Sequence, residues 1–127
     1  MIAGKYQKPL PELLASYGLP KGLFPKNATH YEWEEETGKL TVFIPSILEV
    51  GYKDSSIVRF AVKVTSTLSQ GKLMNIEGMK TKILMWVKVT CITTDANKKV
   101  IFTANVKKSR PWEAYDVLRD GIQAETF

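Results

Sequence analysis

The chain of 127 residues is poor in the residue types that enzymes and secreted domains lean on: it holds one cysteine, one histidine and no long apolar run. A lone Cys91 cannot form an internal disulfide, so the core must hold the fold, and no oxidising compartment is needed. No stretch reaches the roughly 18 uninterrupted apolar residues of a membrane-spanning helix. The opening Met1-Ile2-Ala3-Gly4-Lys5 meets Pro9 and Pro11 before an apolar run of signal-peptide length can develop, which points to the cytoplasm.

The same scarcity narrows the chemistry. A Ser-His-acid mechanism would rest on His30, which strand alternation sets beside Glu32 and Glu34 on a solvated face, and there is no Gly-x-Ser-x-Gly elbow. Cys91 falls on an alternating Met/Ile/Val face, where a buried thiol stays protonated and inert. His30, Glu32 and Glu34 could approach a metal from one strand face but lack the second imidazole or thiolate that gives such sites their strength. The expectation is therefore no catalytic residue, no metal and no cofactor.

What the chain does have is an ordinary globular composition, 44% apolar and 24% charged, enough for one domain over residues 1–127 with its core between about 8 and 122. The net charge of +5 is unevenly spread: between Lys72 and Arg110 there are 9 basic residues against 2 acidic ones. Lys80, Lys82 and Lys88 form a candidate basic surface for an anionic membrane. Lysines on strand faces also serve simply as protection against aggregation. Nucleic acid is not expected, since the charge is modest and Trp86, the aromatic among these lysines, is expected under a helix.

Periodicity predicts a mainly β fold. Leu10, Leu13, Leu14 and Tyr17 make one helical stripe, with Pro11 in the first turn and Gly18 as the stop. From Ala28 onward the period is two: Thr29, Tyr31 and Trp33 alternate with acids, Thr37-Gly38 turns into Leu40, Val42 and Ile44, and Val58 to Val64 follow Asp54-Ser55-Ser56. Ile47 to Val50 reads as a brief strand or bend. Ser69-Gln70-Gly71 is a turn, Gly78 a bend or bulge, and Met79 to Ile92 one long strand. Asp95-Ala96-Asn97-Lys98 turns into Val100, Phe102, Ala104 and Val106. A second helix is predicted over 111–120, with Ser109 as N-cap and Trp112, Tyr115, Leu118 and Ile122 on one side. Short connections require antiparallel pairing, so the expectation is a coiled antiparallel sheet or partly open β-barrel of about seven strands, with a short helix at each end, as a monomer.

The most specific motif is Tyr17-Gly18-Leu19-Pro20-Lys21-Gly22-Leu23-Phe24-Pro25, whose Gly and Pro residues dictate backbone shape rather than chemistry. With Thr37-Gly38, Ser69-Gln70-Gly71-Lys72-Leu73 and Gly78-Met79-Lys80-Thr81-Lys82 leading to Trp86-Val87, it resembles the plant family catalogued as domain of unknown function 538, from about Leu10 to Tyr115. The resemblance implies a coiled all-β sheet, likened to lipid-binding proteins of the bactericidal permeability-increasing type. Many relatives look secreted, with a leader and cysteines; this chain resembles an intracellular branch.

The resulting expectation is a non-enzymatic binder of a lipid or other apolar small molecule, with Val58, Phe60, Val62, Met79, Ile83, Met85, Val87 and Phe102 lining the inner face. The simpler role for those residues is core packing. A protein-interaction module without a small ligand and an esterase-like hydrolase are the alternatives.

Overall fold

The structure is a computed structural model that describes residues 8–28, 30–95 and 98–127. Thr29 and the Ala96-Asn97 centre of the predicted turn lie outside the described residues. Helix α1 (Leu10–Ser16) precedes strands β1 (His30–Glu34), β2 (Lys39–Phe43), β3 (Leu48–Gly51), β4 (Ile57–Ser69), β5 (Lys72–Lys82), β6 (Trp86–Lys88), β7 (Cys91–Thr94), β8 (Lys99–Thr103) and β9 (Lys107–Pro111). Helix α2 (Trp112–Tyr115) and strand β10 (Ile122–Gln123) complete the chain. The described strands form one antiparallel sheet in the order β1-β2-β4-β5-β7-β8-β9, with β3, β6 and β10 off that path. The sheet has ten strands, seven of them along this path, where about seven were expected in all. The sheet is not closed into a barrel, since β1 and β9 end the path.

The turns carrying glycine fall where the sequence puts them. Gly38 and Gly71 take left-handed backbone angles at the β1–β2 and β4–β5 turns. Gly78, also left-handed, sits opposite the irregular stretch of β4 between Phe60 and Thr65, and a Cβ there would lie 2.5 Å from the Lys63 carbonyl oxygen. The bulge breaks the alternation of β4: Phe60 and Val64 are buried, while Val62 between them is 51% exposed.

Two turns without glycine or proline depart from expectation. The strand predicted from Met79 to Ile92 reverses at Ile83-Leu84-Met85, where the Ile83 N–H donates to the Met85 carbonyl and Lys82 pairs with Trp86. Val89 keeps the predicted parity and is buried, but the break at Val89-Thr90 between β6 and β7 shifts it, so that Ile92 is buried and Cys91 is half-buried rather than interior. The strand predicted through Val106 likewise reverses at Ala104-Asn105-Val106, leaving Val106 exposed. Both runs alternate well enough to be strands on either side of the reversal, which is why periodicity alone reads through them.

The core lies between one face of the sheet, α1, the Tyr17 to Pro25 segment and α2. Gly18 ends α1 as a Schellman cap: its N–H bonds the Ala15 carbonyl, and the Leu19 N–H bonds the Leu14 carbonyl. Leu19, Leu23 and Phe24 are then buried as anchors. Helix α2 covers four residues instead of the predicted ten, and Pro111, not Ser109, is its N-cap; Ser109 is within β9. The reason is competition for a carbonyl: the Tyr115 oxygen, which a continuing helix would use, accepts the Gly22 N–H at 2.9 Å. Past that point Leu118 is 37% and Ile122 74% exposed, so the predicted apolar side does not continue.

Candidate functional site

Three places bring together side chains with chemical potential: a buried hydroxyl chain behind α2, a groove on the outer face of β1, β2 and β4, and the β5–β6 hairpin. Each follows from register.

Behind α2, Arg110 is turned inward from β9, 8% exposed, with its guanidinium 4.6 Å from the Phe102 ring centroid. Its Nη1 donates to Thr81 Oγ1 at 3.0 Å and to the Tyr115 hydroxyl at 3.1 Å. Tyr115 bonds Ser56, whose hydroxyl donates to Asp54 Oδ1 at 2.5 Å. Among the described residues no carboxylate lies within ion-pair distance of Arg110, and the chain of hydroxyls links it to Asp54 by polarisation. Tyr52 stacks on Tyr115 with ring centroids 4.1 Å apart and donates to the Gly22 carbonyl. Burial raises the pKa of Tyr52 well above the ordinary tyrosine value, and burial also raises that of Tyr115. The set holds Ser, Tyr, Arg and Asp but no imidazole, since His30 is on the edge strand β1; it knits the C-terminal part to the Tyr17 to Pro25 segment.

The outer groove, about 620 Å³, is lined by His30, Glu32, Glu34, Lys39, Phe43 and Lys63 among others. Register produces it: His30, Phe43 and Lys63 lie in one cross-strand row, and Glu34 and Lys39 in another. The His30 and Phe43 rings are 5.1 Å apart. Charges of both signs alternate here on exposed side chains, and among the described residues no three His, Cys, Asp or Glu converge as metal ligands would.

At the β5–β6 hairpin the legs carry Lys80, Lys82 and Lys88, with Lys80 directly opposite Lys88. The apex is apolar: Leu84 is 95% and Met85 69% exposed, beside half-buried Ile83. Among the described residues no helix covers Trp86. Trp86 instead lies under the Arg59 guanidinium, 4.0 Å from the ring centroid, and Arg59 reaches Glu49 at 3.2 Å. The β8–β9 turn leaves the sheet in the same direction, because β5 and β8 both run antiparallel to the β6–β7 stretch; it presents Val106 followed by Lys107 and Lys108. At the opposite end of β4 sits the β1–β2 turn with exposed Glu34, Glu35 and Glu36, as Lys39 pairs with Thr67 there while Thr81 pairs with Val58 at the hairpin end. The hairpin end of the sheet is thus basic, whereas the opposite end mixes the acids of the β1–β2 turn with exposed Lys39, Lys72, Lys98 and Lys99.

The predicted inner-face residues divide. Val58, Phe60, Met79 and Phe102 are core side chains no more than 1% exposed, Ile83 and Val87 are half-buried, and Val62 and Met85 face outward. Among the described residues, the groove that reaches this set does so at Met79, in a depression of about 90 Å³. No described helix is long and apolar enough to cross a membrane. The exposed apex was missed in the sequence because Ile83, Leu84 and Met85 read as strand; three large apolar residues between lysines were the available sign.

The family model described as "Protein of unknown function, DUF538" matches residues 10–116. The chain is 60% identical over 126 residues to "Uncharacterized protein At5g01610" of Arabidopsis thaliana, an alignment covering 99% of this chain and 74% of that protein.

Proposed function

The chain belongs to the DUF538 family, and we propose that it is a non-enzymatic lipid-surface protein that docks on anionic membranes through the β5–β6 hairpin. One observation carries the reading: Leu84 and Met85 stand in solvent at the apex of a hairpin whose legs bear Lys80, Lys82 and Lys88. Exposed apolar side chains of that size cost free energy in water and gain on entering an acyl layer, at about 25 cal/mol per Å² of apolar surface buried. Lysines just behind them would stay at headgroup depth, where each contributes about 1 kcal/mol on an anionic leaflet. At the opposite end Glu34, Glu35 and Glu36 are offset by Lys39, Lys72, Lys98 and Lys99, so the excess of positive charge that an anionic surface attracts lies at the hairpin end.

An apolar ligand held inside the sheet is the weaker form of the lipid reading. Val58, Phe60, Met79 and Phe102 already fill one another's space, and a ligand would have to displace them.

Vesicle sedimentation is the test. Wild-type protein should bind phosphatidylserine/phosphatidylcholine vesicles and leave pure phosphatidylcholine vesicles largely free. Leu84→Ser with Met85→Ser should weaken binding at least 10-fold, and Lys82→Glu with Lys88→Glu should abolish the preference for the anionic lipid. Binding unaffected by either pair would refute docking by this hairpin.

A further inference from the structure

We infer that the segment from β10 to Phe127 is a strap that keeps Lys80 out of the basic surface, so that the hairpin docks with Lys82 and Lys88 until the strap lifts. The inference rests on the membrane reading for its consequence but not for its geometry.

The segment is tied down at its start. The Gly121 N–H donates to Asn27 Oδ1 at 2.9 Å, Ile122 and Gln123 pair with Glu49 and Leu48 of β3, and the Ala124 N–H donates to the Ile47 carbonyl at 2.8 Å. Gly121 is needed where the segment turns onto β3, since a Cβ there would meet Leu48 at 2.8 Å. From β3 the chain reaches β5. There Lys80 Nζ donates to the Phe127 main-chain carbonyl at 2.8 Å and lies 4.5 Å from the Phe127 ring centroid. Phe127 shares its shallow depression with Lys88, Val89 and Gly78, so the ring lies across β5 and β6.

The three lysines of the hairpin are therefore unequal. Lys80 is half-buried, with one carbonyl and one aromatic face already meeting its charge, whereas Lys82 and Lys88 are exposed. A headgroup phosphate offers the ammonium a hydrogen-bond acceptor that also carries negative charge, and to take it the phosphate must displace the Phe127 carbonyl and ring. Phosphate and strap compete for one cation. A cation–π contact at a partly exposed site shifts such a competition by only about 2- to 5-fold, which leaves the strap displaceable.

Two measurements test this, the first without lipid. Under brief amine acylation read by mass spectrometry, Lys80 should react more slowly than Lys82 and Lys88, and Phe127→Ala should bring it level. Lys80 reacting as fast as its neighbours in the unaltered protein would overturn the strap whatever the protein does with membranes. In the second, anionic vesicles should bind Phe127→Ala about 2- to 5-fold more tightly than wild type. Lys80→Ala should be nearly silent in the wild-type background but should cancel the gain in Phe127→Ala. Equal losses from Lys80→Ala in both backgrounds would also overturn the strap. No vesicle binding by any form, with Lys80 still protected from acylation, would instead remove the membrane reading and leave the strap as a structural contact.

Discussion

The Tyr17 to Pro25 segment and the β5–β6 hairpin use apolar residues in opposite ways. The first holds Leu19, Leu23 and Phe24 at 2% exposure or less; the second holds Leu84 and Met85 in water. Around the first, main-chain and side-chain partners converge from distant parts of the chain: Tyr17 O receives the Gly71 N–H, Gly22 exchanges bonds with Tyr115 and Tyr52, and the Lys26 N–H reaches Arg119 O. Around the apex of the second there is one local closure, from Ile83 to Met85. Fold stability is thus concentrated at the joint, and the hairpin is free to serve another purpose.

The sharpest way to break that contrast is Gly22→Ala. A Cβ at this position would fall 2.2 Å from the Val117 carbonyl oxygen and 2.6 Å from that of Tyr115, both main-chain atoms that cannot swing aside. The expected cost is about 3 kcal/mol, read as a fall in urea midpoint at unchanged slope. A loss below about 1 kcal/mol would mean that the joint yields easily and that the contrast is false.

This glycine shows how much was legible beforehand and how much was not. Its place in a distinctive motif was plain, and so was the family-level expectation of a coiled antiparallel sheet. The reason for it was hidden, because nothing at Gly22 itself signals that the carbonyl of Tyr115, far along the chain, will accept its N–H there. The same long-range bond cut α2 short, against a sequence that reads as helix to residue 120. Turns built on Gly38 and Gly71 were readable, since left-handed angles call for glycine. Those at Leu84 and Asn105 were not, as each is closed by flanking strands whose alternation continues through the apex. The basic lysines of the hairpin were legible as charge, whereas the apolar apex between them became visible only when the chain turned back.

A second, smaller effect comes from the hydroxyl chain that ties α2 to the joint. Tyr115→Phe removes the group that accepts from Arg110 and bonds Ser56, and should cost about 1 to 3 kcal/mol. Ionisation should act in the same direction. Burial raises both tyrosine pKa values, so the native state holds these protons more tightly than the unfolded chain does. Their contribution is fully present below the ordinary tyrosine value of about 10 and declines as pH rises beyond it, by up to about 1.4 kcal/mol per pH unit for each tyrosine. Urea midpoints between pH 8 and 11 should show this decline, and Tyr52→Phe should make it shallower. An unchanged slope would show that lysine titration, not the buried tyrosines, governs alkaline stability.

The smallest stability effect belongs to the apex. Leu84 makes almost no contact that folding creates, so Leu84→Ser should move the urea midpoint by the equivalent of no more than about 0.5 kcal/mol, and the polar side chain should if anything raise solubility. Set against a loss of vesicle binding of 10-fold or more in the Leu84/Met85 pair, that near-silence separates docking from folding. A fall in stability as large as that from Tyr115→Phe would place the apex in the structural framework instead, with Leu84 covered in solution.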